Sequence, residues 1–126
     1  HTLNPRLHPS QLIYIMNHAE DRILFLDLTF VPLAEAVAGE LSGVELYVLL
    51  TDSEHMPETT LPNAVAYEDF ISGHDRAYEW PTLDENDAAA LCYTSGTTGH
   101  PKGVLYTATV RRSFTRSVSQ CPTPST

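Results

Sequence analysis

Two short apolar runs, residues 23–28 and 46–50, each follow a segment in which apolar residues recur at helical spacing. Both runs have the length of strands in the interior of a sheet, and an acidic residue interrupts only the first run, near its end. Parallel strands need a crossover connection between them, and this connection is commonly a helix. The first fifty residues therefore predict the order helix–strand–helix–strand, which is typical of an α/β chain with a parallel sheet and flanking helices.

Local signals set the limits of the predicted elements. Pro9 and Ser10 favour the beginning of the first helix, and Ser42-Gly43 favours the end of the second, which is predicted over 31–41. Further along the chain, the pattern predicts a long loop over 51–64, helical turns over 67–72, an irregular acidic segment over 75–87, and strands over 88–93 and 104–106.

The chain is acidic, with a formal net charge of −9 from 7 basic and 16 acidic residues. All sixteen acidic residues and four of the basic ones precede Ala108, so this part of the chain carries −12. Such a balance argues against nucleic acid and against an anionic membrane as partners. No apolar run approaches the roughly 18 residues of a membrane span. No signal peptide is evident either, so we expect a cytoplasmic protein.

The six histidines and two cysteines predict neither a metal site nor a disulfide framework, because no histidine pairs with another His or Cys at ligand spacing. Cys92 lies in an apolar run, which favours a buried structural thiol over a nucleophile. The acidic groups at 68–69 and 84–87 are predicted to be solvated rather than paired catalytic acids. His18 and Asp27 stay open as functional candidates beside the simpler interpretation, a polar group at the edge of an element.

Residues 94–104 combine three glycines, four hydroxyl side chains and one lysine, directly after the apolar run 88–93. Glycines let backbone N–H groups approach a ligand closely, and successive amides can form a concave anion site. Hydroxyl groups add donors, and the Lys102 ammonium supplies a point charge for phosphate oxygens. Pro101 precedes this lysine and disfavours a helix there, so the stretch is not a Walker A loop. A phosphate site would be formed by a loop between strands, whereas composition alone also allows a plain surface loop.

Residues 93–104 read Tyr-Thr-Ser-Gly-Thr-Thr-Gly-His-Pro-Lys-Gly-Val. This order resembles the signature loop of the adenylate-forming superfamily, which includes acyl-CoA synthetases, luciferases and the adenylation domains of peptide synthetases. Three further segments resemble the fatty acyl-CoA ligase branch of that superfamily: 1–7, 17–21 and 84–93. The resemblance covers residues 1 to about 107 and is weakest over 51–79.

The resemblance implies a ligase that works in two steps. A medium- or long-chain carboxylate attacks the α-phosphate of ATP in the presence of Mg²⁺, and the thiol of coenzyme A then displaces AMP from the acyl-adenylate. Lys102 would lie against the β- and γ-phosphates, and Thr94 would also face the magnesium ion. The residues implied in phosphate binding are Thr94, Ser95, Gly96, Thr97, Thr98, Gly99, Lys102 and Gly103.

Members of the superfamily are several hundred residues long, so the resemblance implies that residues 1–107 are a fragment of the large N-terminal domain. The adenylation lysine of the C-terminal domain has no counterpart here, and no catalytic residue is assigned. The polypeptide alone is therefore expected to be inactive. Two alternatives stay open. One is another adenylate-forming enzyme, such as an aryl-CoA ligase, a luciferase-like enzyme or a peptide-synthetase adenylation domain. The other is a non-catalytic module that binds phosphate.

Residues 108–126 differ in composition from the rest of the chain. They lack acidic residues and are rich in Ser, Thr, Arg and Pro, which is typical of a disordered tail. In the acyl-CoA ligase branch, this position continues into a His-Arg-Ser segment that opens a helix. A shifted reading frame from Ala108 onward uses the third base of each codon together with the first two bases of the next. With a suitable choice of synonymous codons, this frame can encode His-Arg-Ser-Ser-Val-Leu-His-Ala-Leu, which is similar to that continuation. We therefore predict a frameshift or a sequencing error directly after Thr107.

The encoding DNA tests the frameshift. Removal of two bases after the codon of Thr107 should open a long reading frame that begins with the family-like segment. Sequencing of the genomic locus and of its transcript is the measurement. An early stop codon, or a continuation unlike the family, would contradict the prediction.

Overall fold

A computed structural model describes residues 1–74, 77–94 and 100–107. The chain divides into two compact units, one formed by Leu3–Tyr78 and the other by His1–Thr2 together with the chain from Glu79 onward. Within the described residues, each unit contains one sheet. None of the helices in these ranges has the length and apolarity that crossing a membrane requires.

The unit Leu3–Tyr78 alternates helices and strands, as the sequence predicts. Its elements in chain order are α1 (Pro9–His18), β1 (Ile23–Leu26), a 3-10 turn (Leu28–Phe30), α2 (Val31–Ala38), β2 (Leu46–Leu49), β3 (Ala64–Ala66) and α3 (Tyr67–Ile71). The three strands form a parallel sheet in the order β1–β2–β3. The predicted partial parallel sheet with flanking helices is therefore confirmed.

Helix α2 contributes to both apolar clusters of this unit. Val31 and Ala34 pack in the first cluster, together with Leu26, Tyr47, Leu49 and Leu61. Val37, one helical turn further on, packs in the second cluster with Leu12, Met16 and Leu41. The spacing of three residues between the inward side chains of α2 is that of one helix face. Burial of each large aliphatic side chain contributes about 1.5–3 kcal/mol, so this packing carries much of the stability of the unit.

Two predicted elements end earlier than expected because polar side chains bind the backbone there. Strand β1 ends at Leu26 because the Asp27 carboxylate accepts a hydrogen bond from the Thr29 amide at 2.9 Å and caps the 3-10 turn. Helix α2 ends at Ala38 rather than at residue 41. The Asn17 side-chain amide donates to the Glu40 carbonyl at 2.9 Å, which gives that carbonyl a partner from outside α2.

Strand β3 falls within and just after the predicted loop and was not predicted. The loop before it is held by Glu35, whose carboxylate accepts hydrogen bonds from the Thr59 hydroxyl at 2.8 Å and the Thr60 amide at 2.7 Å. These bonds, the Thr60 amide first, lower the pKa of Glu35. Leu61 follows and is buried in the first apolar cluster. The loop is thereby held at residues 59–61, shortly before β3, which pairs with β2.

The end of α1 is a Schellman motif with an unusual residue. The amide of Asp21 donates to the Met16 carbonyl at 3.0 Å, and the amide of Glu20 donates to the Asn17 carbonyl at 3.2 Å. Glu20 occupies the left-handed position of this motif, with φ of 56°. Glycine is the usual residue there, because a Cβ atom makes the left-handed conformation unfavourable.

We expect the substitution Glu20→Gly to stabilise the fold by about 1 kcal/mol, because it removes the strain of a side chain at positive φ. Urea denaturation at neutral pH measures the change in the free energy of unfolding. Glu40→Gly is the matched control, since Glu40 has no positive φ and glycine there only adds freedom to the unfolded chain. Equal loss of stability in both variants would contradict the prediction.

The second unit contains an antiparallel pair of strands, β4 (Ala88–Thr94) and β5 (Lys102–Thr107). Strand β4 matches the prediction to within one residue. Strand β5 begins two residues earlier than predicted, because Lys102 and Gly103 lie opposite Thr94 and Tyr93 in the ladder. A register irregularity lies between Ala88 and Ala90. The remaining pairs place both ends of the glycine-rich stretch at the same end of the hairpin.

Candidate functional site

The candidate site is the end of the β4–β5 hairpin. Thr94 is the last residue of β4, Lys102 is the first of β5, and the two are directly opposite each other. Opposite residues in an antiparallel pair have Cα atoms about 4.5–5.5 Å apart and side chains on the same face. The register thereby places Thr94 and Lys102, eight residues apart in the chain, opposite each other on one face of the hairpin.

The connection between these two residues spans 95–101. Five of the predicted phosphate-binding residues lie outside the described residues: Ser95, Gly96, Thr97, Thr98 and Gly99. Their role stays a prediction. Pro101 is described and buried, directly before the exposed Lys102. Since proline has no backbone N–H and fixes φ near −65°, it supplies no anion donor here and restricts the entry into β5.

The charge around Lys102 favours an anion. Lys102 is the single lysine of the chain, and every acidic residue precedes Ala88. Among the described residues, no carboxylate lies within ion-pair distance of its ammonium. In a chain with a net charge of −9, Lys102 is therefore an exposed cation on a stretch, 88–107, that has no acidic side chain. Such a cation is available to phosphate oxygens, which it binds as a point charge.

Gly103 lies within β5 rather than in the connection, one residue after Lys102 and opposite Tyr93. A Cβ atom at Gly103 would lie 3.2 Å from Cζ of Tyr93 and 3.3 Å from Cδ1 of Leu91. A side chain at this position would therefore be tightly packed against Tyr93 and Leu91. This contact was not predicted from the sequence, although alternation along two paired strands is the signal that could have revealed it.

Thr94 is the one predicted ligand for magnesium, and its chemistry suits an ion that is carried by a nucleotide. No group of three or more His, Cys, Asp or Glu side chains that could hold a metal ion occurs in the described part of the chain. Magnesium commonly takes one or two protein oxygens and completes its shell with substrate phosphates and water. A single hydroxyl beside a phosphate site fits this mode of binding and does not fit a cage formed by the protein alone.

The prediction that Cys92 is a buried structural thiol is wrong for this structure. Cys92 is exposed. It lies in β4 opposite Val104, whose side chain is also exposed at 43%. The apolar run predicted burial because such runs commonly form interior strands, whereas the sheet described here has only β4 and β5.

The remaining candidates from the sequence are Asp27, His18 and the acidic groups at 68–69 and 84–87. Asp27 caps the 3-10 turn, and hydrogen bonds from the side chain and amide of Thr29 lower the pKa of Asp27. The His18 ring stacks on that of Tyr14 with centroids 5.4 Å apart. The acidic groups at 68–69 and 84–87 are exposed, as predicted. Asp27 and the acidic groups thus lie at helix ends and in turns, where polar side chains are common.

Comparison with known proteins points to one family. The family model described as AMP-binding enzyme matches residues 1–124. A 3-methylmercaptopropionyl-CoA ligase of Ruegeria pomeroyi is 49% identical over 123 residues, which cover 96% of this chain and 23% of the ligase. A medium-chain-fatty-acid–CoA ligase of Ectopseudomonas oleovorans is 47% identical over 120 residues, which cover 94% of this chain and 22% of the ligase. The chain thus spans between a fifth and a quarter of the length of these relatives.

Solved structures agree with the fold. The crystal structure of an anthranilate CoA ligase in complex with anthranoyl-AMP matches with a TM-score of 0.71 at 28% identity, over 84% of this chain and 19% of that one. A luciferase-like enzyme from the mealworm Zophobas morio matches with a TM-score of 0.67 over 93% of this chain and 25% of that one. At 21% identity, this second match concerns the fold alone.

Proposed function

This chain belongs to the AMP-binding enzyme family. We propose that it is part of the N-terminal domain of an ATP-dependent acid–thiol ligase. The ligase would activate a medium- or long-chain carboxylic acid as an acyl-adenylate and transfer the acyl group to coenzyme A. The observation that carries this proposal is the Thr94–Lys102 pair, which brackets the family-like stretch at the end of a hairpin. The cytoplasm remains the predicted location.

The described residues would act on the phosphate groups of ATP. The Lys102 ammonium neutralises charge on the β- and γ-phosphates, which become pyrophosphate when the carboxylate attacks the α-phosphate. The Thr94 hydroxyl donates to a phosphate oxygen from the same face of the hairpin. The predicted donors of 95–99 would add further hydrogen bonds. This chemistry depends mostly on position and charge, so it requires that the paired strands hold Thr94 and Lys102 in a fixed register.

Magnesium, when bound with ATP, would supply further neutralisation of the phosphate charge, with Thr94 as a single protein ligand. The substrate class is supported by the relatives, whose names refer to medium-chain fatty acids and to 3-methylmercaptopropionate. Both of these acids are small and largely apolar. We therefore propose an apolar carboxylic acid of medium length as the substrate, within the wider class of medium- and long-chain acids.

The first test is the binding of pyrophosphate and of ATP to Lys102. We expect Lys102→Ala to weaken both affinities about tenfold to hundredfold, because it removes a charge-assisted contact to phosphate. Isothermal titration measures the dissociation constants. Since Lys102 is the single lysine, its protection from an amine-acylating reagent by pyrophosphate, followed by mass spectrometry, gives a second measurement.

Arg6→Ala is the matched control for this test. Arg6 is exposed, and its removal changes the net charge of the chain by the same amount. The control should leave affinity within about twofold, because an exposed charge that makes no direct contact with the ligand is largely screened by salt. Equal effects of the two substitutions, or acylation of Lys102 that pyrophosphate does not slow, would contradict a local phosphate site.

The second test is turnover. We expect no thioester formation by the 126-residue chain on its own, because its one lysine is Lys102 and the resemblance requires a separate adenylation lysine. A coupled assay of pyrophosphate release with ATP, coenzyme A and hexanoate or 3-methylmercaptopropionate measures this activity. A full-length family ligase is the positive control, and clear turnover by the chain would contradict the expectation.

A further inference from the structure

Gly103 lies in a strand at a position where its backbone does not require glycine. Among the described residues, the glycine with positive φ is Gly73, so Gly103 has a backbone conformation open to other residues. Glycine inside a strand weakens it and often marks a place where another group approaches closely. The sequence analysis attributed Gly103 to the phosphate loop, but the structure shows a packing contact at this position.

The group that approaches Gly103 is the ring of Tyr93. A Cβ atom built on Gly103 would lie 3.2 Å from Cζ and 3.3 Å from Cε1 of this ring. Both distances are shorter than ordinary van der Waals contact, and Cδ1 of Leu91 is also only 3.3 Å away. The ring therefore covers the backbone of the facing strand, an arrangement that stabilises a glycine between paired strands.

We propose that Tyr93 and Gly103 form a positioning pair that fixes the register of the hairpin and hence the face on which Thr94 and Lys102 meet. The proposal rests on the proposed phosphate site and names the residues that hold it in place. Tyr93 would act by packing alone, and Gly103 would do so beside its predicted place in the phosphate site.

The alternation of side chains explains how this pair acts. Tyr93 precedes Thr94, and Gly103 follows Lys102, so the two pairs are adjacent in the ladder and project from opposite faces. A slip of one residue in β5 would move Lys102 to the face opposite Thr94. It would also bring a residue with a side chain, Lys102 or Val104, against the Tyr93 ring. The ring accepts only glycine without displacement, and this selects the observed register.

Such a lock is needed because a ribbon of two strands is only marginally stable in water. The nearest side chains further along β5 are largely solvated, with Leu105 exposed at 62%. The pair next to the candidate site therefore helps to hold the end of the hairpin, together with the His1 ring, whose centroid lies 5.8 Å from that of Tyr93. Tyr93 is half-buried, which agrees with a ring packed on the facing backbone.

The test is Gly103→Ala, measured in the full chain with two readouts. We expect pyrophosphate affinity to fall about tenfold, and amide hydrogen exchange in the β4–β5 ladder to quicken by a similar factor, because overpacking displaces the ring. Tyr93→Val combined with Gly103→Ala removes the ring and should recover a large part of both losses. Nuclear Overhauser contacts between Tyr93 and residue 103 report the register directly.

A control accompanies this test. Gly39→Ala is a matched glycine substitution, since a Cβ atom there would meet nothing within 4 Å. It should leave affinity and exchange unchanged. Gly103→Ala with unchanged affinity and exchange, or a double variant without recovery, would overturn the positioning pair. If the unsubstituted chain does not bind pyrophosphate but Gly103→Ala still loses the register contacts, the phosphate site is refuted and the positioning pair stands.

Discussion

The alternation of side chains along two paired strands is the constraint on which the candidate site depends. In the β4–β5 hairpin, one face carries the contact between Tyr93 and Gly103, and the other carries Thr94 and Lys102. A lysine is a flexible point charge, and its usefulness to a nucleotide depends on where its strand presents it. The apolar contact on one face and the polar pair on the other are therefore parts of a single arrangement.

The sequence predicts best those elements whose beginning is determined by their own residues. Helix α1 begins at Pro9 as predicted, and the strands β1 and β2 begin where their apolar runs begin. The short strand β3 could not be predicted in this way, because it depends on Glu35 contacts to residues that are 24 and 25 positions away. Its three residues carry no periodic pattern of useful length, and the loop before it has the composition of irregular structure.

The candidate site likewise has features that its own segment decides and features that depend on other elements. The residue types and their order identify the family-like stretch, and the structure brings its two described ends, Thr94 and Lys102, into one cross-strand pair. Burial could not be predicted from the apolar run of β4, because burial depends on which other elements cover the strand. That is why Cys92 is exposed here although its neighbours are apolar. The role of Gly103 depends likewise on the facing strand, which a pattern within 93–104 does not reveal.

The distribution of charge completes this arrangement. A carboxylate within about 4 Å of an exposed ammonium pairs with it by up to about 1 kcal/mol, and it would also repel a phosphate group that approaches the same ammonium. Elsewhere in the chain, Glu45 pairs with Arg22 at 2.9 Å and so occupies that basic side chain. The acidic residues all precede Ala88. The hairpin avoids that competition because its own segment has no acid. Replacement of Val104 by an acidic residue would place a carboxylate diagonal to Thr94 and on the same face as Lys102. This carboxylate would weaken phosphate binding by repulsion even if the hairpin kept its register.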